Sequence, residues 1–128
     1  MTHGAFAAVI NDGKVLLVKP PEWVSEFSEH WNFPGGVVEE GEELERGAER
    51  EVWEETGIKC IVKKLIDTAH NQKFETFIHI YEAIYISGTI HTQPEEIIDA
   101  RWFSFKDALE LPLAFDIKNT LTKYFNQQ

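Results

Sequence analysis

Residues Arg50 to Gly57 read REVWEETG and crowd three glutamates, Glu51, Glu54 and Glu55, into five positions. Nine of the seventeen residues from Glu39 to Glu55 are Glu. Such a run is commonly the solvated face of a helix. Two chemistries compete with that reading. Carboxylate oxygens are preferred ligands of hard divalent cations such as Mg2+. A carboxylate whose pKa is raised can also serve as a general base. The two roles can coexist at one site.

Helical phase decides whether these carboxylates face solvent. At ~100° per residue, with Leu44 at zero, Ala48 falls near ~40° and Val52 near ~80°. Glu51 falls near ~−20°, Glu55 near ~20° and Glu54 near ~−80°. Glu51 and Glu55 therefore share the apolar stripe, and Glu54 lies at its edge. A carboxylate beside a core is costly unless it is compensated. Arg50 can pair one of them bidentately, but one guanidinium cannot neutralise three. A divalent cation can, and Mg2+ often shares its shell with substrate phosphates. The cluster reads as a metal site for a phosphate compound. Upstream, Pro34-Gly35-Gly36 would let the backbone pass close to the metal or a phosphate, because glycine has no Cβ.

The elements that must hold this cluster follow from periodicity. Leu44, Ala48 and Val52 predict a helix from Glu43 to Thr56, stopped by Gly57. Ala5–Ile10 and KVLLV flank Asn11-Asp12-Gly13 and predict a hairpin. Lys19 to Gly36 reads as a loop punctuated by proline and glycine. Trp23, Phe27 and Trp31 recur every four residues there and allow a helical turn. They either stack on a base or form the loop's own small core. Ile58–Ile66 predicts a strand, Asn71–Lys73 a turn, and Phe74–Ile86 a long strand apolar on both alternations, hence covered on both faces. Ala100–Phe105 predicts a further strand, followed by a short helix to Leu111. Ile117, Leu121, Tyr124 and Phe125 mark a terminal amphipathic helix.

At 128 residues the chain fits one domain. Cys60 is its sole cysteine, so no intrachain disulfide can form. The opening MTHGAFAAVINDG lacks a basic n-region and reads as a strand, not a signal peptide. No window approaches the ~18 apolar residues of a membrane span. A cytoplasmic address is the default expectation. The net charge of −10 argues against bulk nucleic acid as a partner. An acidic protein can still take phosphates through a cation, and the charge otherwise serves solubility.

With these residues in place, the chain resembles the Nudix hydrolase family. The family box is G-x5-E-x7-R-E-U-x-E-E-x-G-U, with U aliphatic. Every defined position is matched over 23 residues: Gly36, Glu42, Arg50-Glu51-Val52, Glu54-Glu55 and Gly57-Ile58. WNFPGG before the box, the opening hairpin and ARWFSF late in the chain are also similar. The likeness covers essentially the whole chain, which matches small MutT-like members in size. It implies an α+β Nudix fold, an α/β/α sandwich with a central mixed sheet, as a single domain over residues 1–128. It further implies hydrolysis of a nucleoside diphosphate linked to another group, with Mg2+ as cofactor and Mn2+ as a substitute.

By position, the resemblance implies Glu51, Glu54 and Glu55 as the main metal ligands, joined by the backbone carbonyl of Gly35. One of these glutamates, or one in a later loop, would be the base. PEEIIDARW offers Glu95, Glu96 and Asp99, of which Glu96 is favoured as catalytic residue and metal ligand; surface acidity is the alternative. Gly36, Glu42, Arg50 and Gly57 would be structural, with an Arg50–Glu42 ion pair orienting the helix.

Candidates for stacking on a base are Phe6, Trp23, Phe27, Phe74 and Tyr81, although aromatics in a domain of this size are more often core. His70 begins the HNQK turn and faces either a phosphate or solvent. His3, His30, His79 and His91 show no ligand spacing with one another. ADP-ribose hydrolases of the family tend to carry a Pro at a set distance past the box, and diadenosine-polyphosphate hydrolases a Tyr slightly farther on. Those distances fall near Lys73 and Phe74 to Thr76, where neither residue stands. The coenzyme A signature is not evident either.

The leading expectation is a Mg-dependent hydrolase that cleaves the pyrophosphate link of a nucleoside triphosphate or nucleotide sugar by water attack on phosphorus. Alternatives are a hydrolase of a small non-nucleotide diphosphate and a nucleotide-binding sensor without turnover. The intact glutamates speak against a sensor, and the acidic balance disfavours an RNA-cap hydrolase. The expected partner is a small nucleotide-type diphosphate, with no bulk nucleic acid and no membrane. Monomer and homodimer are both open, since nothing marks an interface.

Overall fold

The computed structural model describes residues 2–20, 30–93, 95, 97–114 and 117–126. In order these form β1 (Thr2–Asn11), β2 (Lys14–Lys19), β3 (Gly35–Val37), α1 (Leu44–Thr56), β4 (Lys59–Asn71), β5 (Thr76–Ser87), β6 (Asp99–Ser104), α2 (Phe105–Leu109) and α3 (Ile117–Asn126). The sheet order is β4-β5-β1-β2-β6, with β3 paired to β1 off that path. β1 and β5 run parallel and the other pairs antiparallel, so the sheet is mixed. The β1–β2 hairpin turns at Asp12 and Gly13, with φ of 53° and 75°. Two positive φ values are what tight hairpin turns require.

β1 explains the layering. Ala5, Ala7 and Val9 face α1 and pack with Ala48, Val52, Tyr81 and Ala83. Phe6, Ala8 and Ile10 face the other side and pack with Ile117, Leu121 and Tyr124 of α3. A strand buried on both faces loses its polar alternation, which is the continuous apolar run seen in the sequence. Helices thus cover both faces of the sheet, the sandwich the resemblance implies. The expectation for β5 holds over part of its length. Tyr81 and Ala83 face α1 and Ile80 the α3 side. Ile84 and Ile86 stay 42% and 52% exposed, so the far end is uncovered on that alternation.

Several boundaries differ from expectation. β4 runs on to Asn71, past Ile66, with three register irregularities along it. Such bulges blur the period of two on which strand ends are read. Gly35 and Gly36 fall in the stretch expected to be loop, yet Gly35–Val37 is a strand that pairs Gly35 with Phe6 and Gly36 with Ala5. A three-residue strand with two glycines carries no alternation to read. Phe74 lies in the turn before β5 and is 66% exposed. Trp23 and Phe27 lie outside the described residues. Trp31 is buried in the α3-side core, edge-on to Phe103 at 5.0 Å. Among the described residues no helix is long and apolar enough to cross a membrane.

α1 ends as its sequence requires. Gly57 takes a left-handed φ of 76° and donates its N–H to the Trp53 carbonyl at 2.8 Å. Thr56, fully buried, donates its hydroxyl to the Val52 carbonyl at 2.7 Å and accepts the Ile58 N–H at 3.2 Å. These bonds close the helix and launch the chain toward β4. Replacing Gly57 by Ala forces a Cβ into the left-handed region, where it would also meet the Thr89 carbonyl at 3.1 Å. We expect Gly57→Ala to cost about 1–2 kcal/mol in urea unfolding, with the native far-UV CD spectrum retained.

Candidate active site

The site is organised by one arginine on α1. Arg50 donates through Nε to Glu42 Oε2 at 2.8 Å and through Nη2 to Glu42 Oε1 at 3.1 Å. This bidentate pair joins the helix to the loop that precedes it. The same guanidinium reaches Glu51 Oε1 at 3.1 Å and Glu54 Oε2 at 2.9 Å through Nη1. Glu42 Oε1 also accepts the Glu39 N–H at 3.0 Å. Its bonds to Arg50 and then to that N–H hold the Glu42 carboxyl below its ordinary range. The paired carboxylates, Glu42 foremost, push the Arg50 pKa upward.

The helical phase places the glutamates as expected. The Glu51 side chain is 17% exposed and that of Glu54 45% exposed, while Glu55 is half-buried. Glu51 and Glu55 converge on the glycine pair of β3. Glu55 Oε1 accepts the Gly35 N–H at 3.3 Å. A Cβ on Gly36 would lie 2.8 to 3.0 Å from the Glu51 carboxylate. A Cβ on Gly35 would lie 2.4 Å from the Ala5 carbonyl oxygen. Both glycines are therefore needed for close approach, one to the carboxylate and one to β1. Burial raises the Glu51 pKa; Arg50 opposes the rise and the Glu54 charge adds to it.

The donor set suits a hard divalent cation. It consists of carboxylate oxygens, with no thiol or imidazole among Glu51, Glu54 and Glu55. Arg50 stands between Glu51 and Glu54, where it supplies a single delocalised charge to several carboxylates. Among the described residues no three acidic, imidazole or thiol side chains are gathered into an ion-sized cluster. The fit is thus one of chemistry and proximity, and engaging Glu54 requires loosening it from Arg50. Gly35 meets the cluster through its N–H. Glu96 lies outside the described residues. Glu95 is exposed, and Asp99 pairs with Arg101 at 2.9 Å.

A cavity of about 630 Å³ lies on the α3 side of the sheet. Phe6, Phe33, Ile78, Ile80 and Ile117 give it apolar walls, and Asn32, Asp67, Asn119 and Thr120 add polar groups. Phe6 links it to the glutamates, because its backbone pairs with Gly35. Among the stacking candidates that are described, Phe6 alone reaches this cavity. Tyr81 is 7% exposed and packs in the core under α1, where β5 alternation sends it away from the cavity. Phe74 is exposed with Lys73 above its ring, off the cavity wall. His70, placed at the end of β4, sits on the cavity rim and stacks on Phe77 at 4.4 Å. Sequence spacing also concealed a histidine pair: His3 Nδ1 and His79 Nε2 are 3.0 Å apart across β1 and β5. Asn32, Asp67 and Asn119 carried no local signal, since distant elements bring them together.

The geometry has counterparts among known proteins. A family model described as "NUDIX domain" matches residues 1–124. The chain belongs to the NUDIX domain family. A Bacillus subtilis (strain 168) protein provisionally named an 8-oxo-dGTP diphosphatase is 32% identical over 80% of this chain and 66% of its own length. The "ADP-ribose pyrophosphatase" of Methanocaldococcus jannaschii is 32% identical over 88% of this chain and 66% of its own. The chain thus spans just under two thirds of these relatives. The crystal structure of a MutT NUDIX hydrolase from Burkholderia pseudomallei superposes with a TM-score of 0.81 at 28% identity, over 95% of this chain and 96% of that one.

Two predictions test the Nudix site. Gly36→Ala places a methyl against the Glu51 carboxylate, whose flexible end gives way. Mg2+-dependent hydrolysis of a nucleoside triphosphate panel should fall about 100-fold, because small misplacements in a site are costly, while the melting temperature changes little. Glu42→Gln tests the ion pair. A carboxyl whose pKa is lowered on folding contributes stability above its ordinary value of 4.5 and loses it as pH falls through the lowered value. Glu42→Gln should be about 1–2 kcal/mol less stable at pH 7 in urea titrations. The wild-type and variant curves should then converge as pH drops below 4.5.

Proposed function

We propose that this Nudix protein is a Mg2+-dependent hydrolase of the diphosphate link in a small nucleotide-type substrate, acting as a single domain. One observation carries the reading: Glu51 and Glu55 converge on Gly35 and Gly36, and Gly35 pairs with Phe6, whose side chain lines the cavity on the other face of the sheet. Glu51, Glu54 and Glu55 would hold the metal, with Glu96 and the Gly35 carbonyl as further candidate ligands. When bound, Mg2+ neutralises the diphosphate charge and activates water. The chain's own groups divide the remaining work. One of these glutamates, or Glu96, would take the proton of the attacking water. Arg50 and Glu42 hold α1 in register with the glycine strand.

The cavity would take the uncharged end of the substrate. Its described lining contains no lysine or arginine, so it offers no cation to a second phosphate. Phe6 and Phe33 provide apolar surface for a planar ring, and the Asn32 and Asn119 amides offer donors and acceptors. This favours a nucleoside triphosphate, with its base in the cavity and its phosphates at the glutamates. Two relatives, named as an 8-oxo-dGTP diphosphatase and an ADP-ribose pyrophosphatase, both point to nucleotide-type substrates.

The test is a panel of nucleoside triphosphates, ADP-ribose and nucleotide sugars with Mg2+, with products resolved by chromatography. Monophosphate plus pyrophosphate identifies triphosphate cleavage, and two monophosphate-bearing products identify a diphosphate-linked substrate. Glu54→Gln should lose turnover by at least about 100-fold while keeping its fold, since even partners outside a metal's ligand shell cost about 10- to 100-fold when mutated. Unchanged turnover in that variant, or tight nucleotide binding without any product in the wild type, contradicts the hydrolase reading.

A further inference from the structure

We propose that Asp67 is a positioning residue that fixes α3 as the far wall of the cavity and so sets affinity for the group bound there. The inference rests on the nucleotide-hydrolase reading above. It starts from a break in the alternation of β4. Leu65 lies opposite Tyr81, yet Asp67 lies opposite Ile80, with a register shift between them. Tyr81 belongs to the core under α1, and Ile80 packs on the α3 side. In a regular strand residues 65 and 67 would share a face. The bulge instead turns two consecutive residues toward α3. Ile66 enters the core with Ile117 and Leu121, and Asp67 lines the cavity. Re-aiming a side chain is what a bulge accomplishes.

The re-aimed carboxylate grips α3. Asp67 Oδ2 accepts the Thr120 hydroxyl at 3.1 Å, and Thr120 is 2% exposed. Asp67 Oδ1 accepts the Thr68 N–H at 3.0 Å and lies 3.6 Å from Lys123 Nζ. Its own strand thus orients the carboxylate before it reaches the helix. Asn119, next to Thr120, presents its amide group's residue to the same cavity. Any rotation of α3 would move Asn119 along with Thr120. A second carboxylate holds the same helix elsewhere: Glu82 of β5 accepts the Tyr124 hydroxyl, away from the cavity lining. Of these two carboxylate ties between the described residues of the sheet and α3, the one through Asp67 also lines the cavity.

Steady-state kinetics on ATP, GTP, dGTP and ADP-ribose with Mg2+ separate the two ties. Asp67→Ala and Thr120→Val should each raise KM for the best substrate about tenfold with kcat changed by no more than about twofold. Thr120→Ser, which keeps the hydroxyl, should recover the KM lost in Thr120→Val. Glu82→Gln should lower the melting temperature and leave KM alone. With an active wild type, an unchanged KM in Asp67→Ala overturns the inference. So does an equal KM shift in Glu82→Gln, or a fall in kcat at constant KM. A wild type that cleaves none of these compounds contradicts the hydrolase reading instead. The inference is then decided by calorimetric binding of AMP and dGMP: weaker binding in Asp67→Ala supports it, and equal or absent binding in the wild type and variant overturns it.

Discussion

The arrangement depends on bringing several carboxylates against a backbone without letting them repel one another apart. Arg50 makes this workable. It pairs Glu42 bidentately and touches Glu51 and Glu54 with the same Nη1. Its charge is permanent, and its paired position is more than three quarters buried, so its contacts are less screened than at an open surface. The glycine strand supplies the other half of the constraint. Only residues without a Cβ let Glu51 lie over Gly36 while Gly35 presses on β1. Helix, loop and strand are thus locked at one point, and the proposed chemistry is placed there.

β1 couples this point to the rest of the molecule. Its odd residues support α1, which bears the glutamates, and its even residues reach the cavity and α3. Adjacent residues Ala5 and Phe6 therefore serve two layers. Ala5 pairs with Gly36 under the carboxylates, and Phe6 pairs with Gly35 while lining the cavity. The proposed hydrolase reading uses this division of labour, with phosphates on one side of the strand and the uncharged group on the other. The bulge in β4 extends the same logic at the far wall, where Asp67 is turned toward α3.

Much of the fold was legible in local patterns, and the unread part was long-range. The phase of Leu44, Ala48 and Val52 placed Glu51 and Glu55 on the inner face and Glu54 at its edge, as observed. Gly57 marked the helix end because a left-handed residue leaves a compositional trace. The apolar run of β1 was legible because burial on both faces removes polar residues. The strand at Gly35–Val37 was not, since pairing alone defines it. Tyr81 and Phe6 look alike in the sequence, and only strand parity separates a core ring from a cavity ring. Bulges conceal that parity in β4, which is why Asp67 gave no signal. The histidine pair at His3 and His79 likewise follows from strand pairing over a separation of 76 residues.

The central claim is that the carboxylates at the glycine strand hold a divalent cation. Titration of the isotopically labelled protein with Mn2+, read by paramagnetic broadening of amide NMR signals, tests it most directly. The account predicts that Gly35, Gly36 and the Glu51–Glu55 turn broaden first, at substoichiometric metal, and that excess Mg2+ reverses the effect. Broadening confined to other acidic segments, such as the Glu95–Asp99 region alone, or none at these glycines, would contradict it.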